Sequence, residues 1–341
     1  MKTKRLYGAV DIAKYISALL VIAIHTFPFA GISETFNLYF ISTICRMAVP
    51  FFFTISAYFF FTKLRYDDGR FLSRGSVFWK YLKRLGILYL VWTVIYLPYT
   101  IWNWASGGFS ISFILGWIRD FFLNGSYYHL WFLPALILGM IIVYRLLTQK
   151  SLKEALIVSL VLYGIGYLLN IYGPIWEGLP FINILYGFLM KILGTARDGI
   201  FFAPIFLVLG ALLSKTGRMS WKASLVGLII SFLLLCLEAW LYHKIGCLTD
   251  LSSMFLSLIP CEFFLCNMVL SLRIPYKPVY REMREDSTLY YTSHILFTRV
   301  LFILLGDANL VVYLATLALC QCFSYVVLHF SERYPWLHYL Y

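Results

Sequence analysis

Ten stretches of the chain are apolar enough, and close enough to span length, to form helices across a bilayer. They are residues 9–28, 40–61, 85–104, 128–148, 154–172, 199–214, 223–243, 252–272, 287–305 and 309–329. Roughly 20 apolar residues in a helix cover the hydrocarbon thickness of a membrane. Lipid offers no hydrogen bonds to a bare backbone, so such segments close their own N–H and C=O groups as helices. Two further apolar pieces, 109–123 and 181–194, are too short or too broken to span. They read as interfacial or re-entrant segments on long outer loops. The expected fold is therefore an all-α integral membrane protein, a single domain over residues 1–341 with about ten transmembrane helices.

The basic residues orient this bundle. With the N-terminus inside, the cytoplasmic segments carry 21 of the 28 Lys and Arg residues and the outer loops only 4. The other three, Lys14, Arg46 and Arg299, fall inside spans. This is the positive-inside asymmetry, and it puts both termini in the cytoplasm. Composition agrees: 61% of residues are hydrophobic and 13% charged, where soluble domains average about 25% charged. The net charge of +12 thus reports topology and attraction to anionic inner-leaflet lipid, and it implies no nucleic acid partner. "MKTKR" resembles the basic start of a signal peptide, but no small-residue cleavage site follows, so the first span is expected to be retained. Seven cysteines lie mostly in apolar runs without a Cys-x-x-Cys pair and read as small buried hydrophobes. No internal repeat of the kind that marks many carriers is visible.

Against this background the ionisable residues inside spans stand out, because a charge at mid-bilayer costs at least ~2.5–3.5 kcal/mol. "DIAKYISALLVIAIHTFPF" holds Lys14 near the inner edge and His25 near the outer edge. Eleven residues turn a helix about 20° past three full turns, so the two share a face, about 16 Å apart along the axis. Alone, the lysine could snorkel to the interface and the histidine could be a satisfied interfacial residue. Together they describe a path with a cationic inner end and a titratable outer end. Arg46, His129, Arg197, Asp198, Glu238 and Arg299 fall in the outer half of other spans, and His294 lies five residues before Arg299. Such a set on different helices points to a polar cavity open outward, with these residues as substrate-binding candidates. Glu238 or Glu262 paired with Arg299 is the structural alternative. On the inner side "FWKYLKRL" puts Lys80, Lys83 and Arg84 on one helical face, either touching lipid phosphate or holding a polyphosphate donor. There is no Gly-rich phosphate loop, no Gly-x-Ser-x-Gly and no metal-ligand cluster. A covalent serine nucleophile is unsupported; direct transfer assisted by a histidine base fits better, with no metal.

These residues resemble the acyltransferase-3 membrane acyltransferases over nearly the whole chain. The family motif of a basic residue, ten residues and a histidine in the first span is matched by Lys14 to His25, with lysine where arginine is usual. "VPFFFTISAYFF" resembles the family segment ending in Ser-Gly-Tyr, with Ala57 in place of the glycine, and "HLWFLPALILG", "RDGIFFAPIFLVLG" and "STLYYTSHILF" resemble further blocks. The resemblance implies transfer of an acyl group, acetyl as the expected case, from cytosolic acyl-CoA to a carbohydrate, lipid-linked or small-molecule acceptor at the outer side of a bacterial cell membrane. His25 would then be the catalytic base, and Lys14, Lys80, Lys83 and Arg84 would hold the acyl-CoA. A lysine lacks the bidentate fork of arginine, which weakens that donor site. A narrower resemblance, through "VIAIHTFPF", "ICRMAVPFFF", "YYHLWFLPA" and "LIPCEFFL", is to the membrane domain of vancomycin-resistance serine racemases. It implies a fused cytosolic racemase domain beyond residue 341, and for the membrane domain a role in serine import. The racemase and its pyridoxal phosphate are not expected in this chain.

Overall fold

The computed structural model describes residues 7–107, 110–249, 252–306 and 308–341. Lys2, Lys4 and Arg5, counted above as cytoplasmic charges, lie outside the described residues. Among the described residues the fold is helical apart from one short hairpin. The helices are α1 Gly8–Thr26, α2 Glu34–Ser42, α3 Ala48–Phe61, α4 Gly75–Ser106, α5 Ile111–Leu123, α6 Phe132–Gln149 and α7 Leu152–Ile171, followed by α8 Gly173–Glu177, α9 Pro180–Leu193, α10 Ala203–Lys215, α11 Trp221–Lys244, α12 Leu258–Ser271, α13 Pro278–Leu305 and α14 Leu310–Ser331. The strands Tyr66–Asp67 and Arg70–Phe71 pair antiparallel between α3 and α4. Single 3-10 turns cover Cys45–Met47, Tyr128–Trp131 and Pro335–Leu340.

Among the described residues, eight helical units are long and apolar enough to cross a membrane. One of them is α2 and α3 taken together, interrupted by the turn that carries Arg46. Pro50 sits in the first turn of α3, where its missing N–H leaves no intrahelical bond unmade. The expected spans 199–214 and 252–272 take a different form: α10 has 13 residues and α12 has 14, each entered from an irregular stretch. Side chains stand in for the missing backbone bonds there. Asp198 Oδ1 accepts the N–H groups of Ile200 and Phe201, both at 2.8 Å. Asn170 Oδ1 accepts those of Ser253 and Met254, at 2.9 and 3.1 Å. The Glu238 carboxylate accepts those of Leu256 and Ser257, both at 2.8 Å, just where α12 begins. Irregular backbone at membrane depth survives only where protein satisfies it in this way.

The short α10 lies at the centre of the packing, with Ala203 to Ala211 all buried. It packs chiefly on α3. A Cβ at Gly210 would come 2.2 Å from the Thr54 carbonyl oxygen and 2.8 Å from the Ala57 Cβ. The missing side chain lets two backbones approach, as small residues do in membrane bundles. Ala57 is thus accommodated by a glycine on the facing helix. Around this pair run α1 against α13, α13 against α14, and α11 against α12. The pieces expected as non-spanning form α5 and α9, neither with a buried residue. They are tied by Arg119 Nη1 donating to the Lys191 carbonyl at 2.8 Å and Asn124 Nδ2 donating to that of Leu193 at 2.7 Å.

Candidate active site

Three helical elements bring three histidines together. His25, in the last turn of α1, has its ring 5.1 Å from that of His294 on α13. The His294 ring is 5.2 Å from that of His129 in the turn Tyr128–Trp131. The protonation pattern follows from the partners. His294 Nδ1 lies 2.9 Å from the Tyr290 carbonyl, which can only accept, so Nδ1 carries the hydrogen. His129 Nε2 lies 3.2 Å from the Thr292 carbonyl and donates likewise. The second nitrogens, His294 Nε2 and His129 Nδ1, are buried and have no hydrogen-bond partner among the described residues. In neutral rings these are lone pairs, and both sit in the His25 neighbourhood. The Tyr291 hydroxyl donates to the His129 carbonyl at 3.0 Å and fixes the backbone that presents this ring.

Next to the histidines lies a cavity of about 430 Å³. Its walls come from α4, α5, the turn before α6, the segment before α10, and α13. Tyr128 stands between the two compartments. Its ring is 5.3 Å from that of His25 and 5.8 Å from the guanidinium carbon of Arg299. Arg197 stacks over Trp131, 4.6 Å from the ring centre. Arg197, Arg299, Tyr128 and Trp131 all line the cavity. Arg46 is buried beside this group, close enough to add positive potential at both His25 and Arg197.

The inner end of α1 is built differently. The Lys14 ammonium lies 5.7 Å from the Phe59 ring centre. Asp11, one turn earlier and buried, is 3.8 Å from Arg284 of α13. Arg84 and Arg284 both add positive potential at Lys14, and Asp11 offsets it. Lys80, Lys83 and Arg84 are exposed on α4. Between Lys14 and His25 the helix face is filled: Ala18 and Ile22 are fully buried and Val21 is 4% exposed. Val21 belongs to an apolar cluster with Tyr89, Trp92, Tyr96 and Leu289.

A family model described as an acyltransferase domain matches residues 7–331. The chain belongs to this acyltransferase family. The acyltransferase chain is also 30% identical over 331 residues to an amino-acid racemase of Enterococcus faecalis, covering 94% of this chain and 44% of that protein. It is 30% identical over 339 residues to a serine/alanine racemase of Enterococcus gallinarum, covering 96% of this chain and 46% of the relative. The chain therefore spans a little under half the length of these curated relatives. No solved structure matches it significantly.

Within the acyltransferase domain, His25, His129 and His294 form one group, Arg197 and Arg299 line the adjacent cavity, and Arg46 is buried close to both. Asp198 is fully buried at its edge, with one oxygen holding the turn into α10 and the other without a partner among the described residues. The remaining candidates lie elsewhere. Glu238 caps α12 and accepts from Tyr242 at 2.9 Å. Glu262 is buried next to Cys266, whose thiol donates to it at 2.8 Å. Among the described residues neither acid pairs with Arg299. Asp11, Tyr128 and Trp131 were not singled out from the sequence. Asp11 left a signal, an acid three residues before Lys14 on an apolar helix; Tyr128 and Trp131 left none among 26 Tyr and 10 Trp.

Proposed function

We propose that this domain transfers an acyl group, acetyl as the expected case, from cytosolic acyl-CoA to a hydroxyl or amine at the outer side of a bacterial cytoplasmic membrane. The observation that carries this reading is α1 itself. One helix holds Lys14 near its inner end and His25 near its outer end, about 16 Å apart along its axis, with His25 next to buried imidazole lone pairs and a cavity. His25 takes the proton as the acceptor oxygen or nitrogen attacks the thioester carbonyl. The new C–O or C–N bond forms, the C–S bond breaks, and the proton returns to the leaving thiolate to give free CoA. Lys14 offers charge to the donor, with Arg84 adding to the same potential. Lys80 and Lys83 would meet the outlying phosphates on the exposed face of α4. The filled stretch at Ala18, Val21 and Ile22 means that the pantetheine arm reaches His25 only when side chains there move aside.

The test is donor binding and turnover in detergent or nanodiscs. Acetyl-CoA is expected to bind wild type and to bind Lys14→Ala at least tenfold more weakly. His25→Ala is expected to retain binding and to lose acetyl-CoA turnover by about 10²–10⁴-fold, the usual weight of a general base. No binding by wild type at about 1 mM donor, where a site of about −4 kcal/mol is half filled, overturns the reading. A second reading is favoured by the racemase names of the relatives: the domain supplies serine to a cytosolic, pyridoxal-phosphate racemase fused beyond this chain, without acyl transfer. Serine uptake by vesicles holding this domain alone, unchanged by His25→Ala, would favour it.

A further inference from the structure

The outer cavity has more positive charge than the protein neutralises. Three arginines line it, Arg119, Arg197 and Arg299. Arg119 is already committed, to Asp120 at 2.7 Å and to the Lys191 carbonyl. For Arg197 and Arg299 no carboxylate among the described residues lies within ion-pair distance. Asp120 is the one carboxylate that lines the cavity among the described residues, and Arg119 holds it. Guanidinium groups do not shed their charge at any relevant pH. Both free ones lie over aromatic faces, Arg197 on Trp131 and Arg299 on Tyr128. A guanidinium held against a ring face keeps its N–H edge as a fork, the geometry that recognises carboxylate and phosphate. Trp104 and Trp117, edge to face at 6.3 Å, add aromatic lining to the same cavity. The volume of about 430 Å³ is that of a small-molecule site.

We infer that the ligand of this cavity is anionic: a small polar molecule, ring-bearing to suit the indole wall, whose carboxylate or phosphate seats on Arg197 and Arg299. The inference rests on reading this cavity as the acceptor side of the acyltransferase. It narrows the acceptor from any hydroxyl or amine to one that carries its own negative charge. With the anion held by the two arginines, Tyr128 is the side chain between the ligand and His25, so a reacting hydroxyl reaches the histidine past that ring.

The experiment needs no acyl donor, so its failure and the failure of acyl transfer are separate results. The protein is placed in phosphatidylcholine nanodiscs, and the quenching of tryptophan fluorescence is followed with D-glucose, D-glucuronate and D-glucose 6-phosphate. At least one charged sugar is expected to bind tenfold or more tightly than glucose, with a preference that falls as salt is raised. Arg197→Gln and Arg299→Gln are each expected to reduce that preference about tenfold, Arg197→Lys less. Lys222→Gln, which removes an exposed charge outside the cavity lining, is expected to leave that preference unchanged. Repeating the titration in discs containing phosphatidylglycerol separates the sources of the anion. Competition by the lipid assigns the site to a headgroup; its absence assigns it to a soluble molecule. Equal affinity for glucose and both charged sugars, a charge preference that survives both arginine substitutions, or no binding of either anion at about 10 mM overturns the inference.

Discussion

His294 donates its Nδ1 hydrogen to a backbone carbonyl and leaves Nε2 as a buried lone pair beside His25. An imidazole in that state orients a neighbouring base and accepts the proton it acquires. Asparagine at position 294 keeps a donor for the Tyr290 carbonyl but removes the Nε2 lone pair. His294→Asn is therefore expected to lower kcat by about 10²-fold or more with little change in the acceptor KM, and steady-state acetyl-CoA turnover checks it. A role limited to packing would lower thermal stability without that split. The histidines were legible in the sequence because an ionisable group within an apolar run has few ordinary reasons to be there. Tyr128 was not, because nothing local distinguishes an aromatic between a histidine and a cavity from an aromatic that packs. Glu238 looked like the histidines by the same criterion and proved to be a helix cap, since burial of a charge reports that it has a partner without saying which.

Among the elements, two of the expected spans open with irregular backbone that hydropathy does not resolve. A window across 199–214 or 252–272 averages helix with irregular backbone, and Ile200, Phe201, Phe202 and Phe255 are as apolar as any span. Hydropathy measures the transfer of side chains from water; it does not record whether the backbone closes its hydrogen bonds on itself or on Asp198 and Glu238. The close contact of α10 with α3 carries a prediction of its own. Gly210→Ala places a Cβ against the Thr54 carbonyl and is expected to cost about 1–3 kcal/mol by overpacking. Gly164 on α7 meets nothing within 4 Å, and Gly164→Ala is expected to be neutral or slightly stabilising. Thermal melts of the two variants in detergent compare them directly.

For the molecule as a whole, the two ends of α1 are chemically unlike: three histidines and three arginines at one, Lys14 with Asp11 and Arg284 at the other. This difference was legible in the sequence, since Lys14 and His25 stand near opposite ends of one apolar run. What charge patterning could not convey is that the two ends do not communicate through open space. The packed layer at Ala18, Val21 and Ile22 has an electrical consequence. A wet column from Lys14 to His25 would be a proton wire, and one charge falling through 100 mV releases about 2.3 kcal/mol. An energised membrane would drain through every copy of such a protein. The hydrocarbon layer makes the bundle an insulator between turnovers. Val21→Asp is therefore expected to leak: liposomes holding that variant should dissipate an imposed pH gradient faster than liposomes holding wild type.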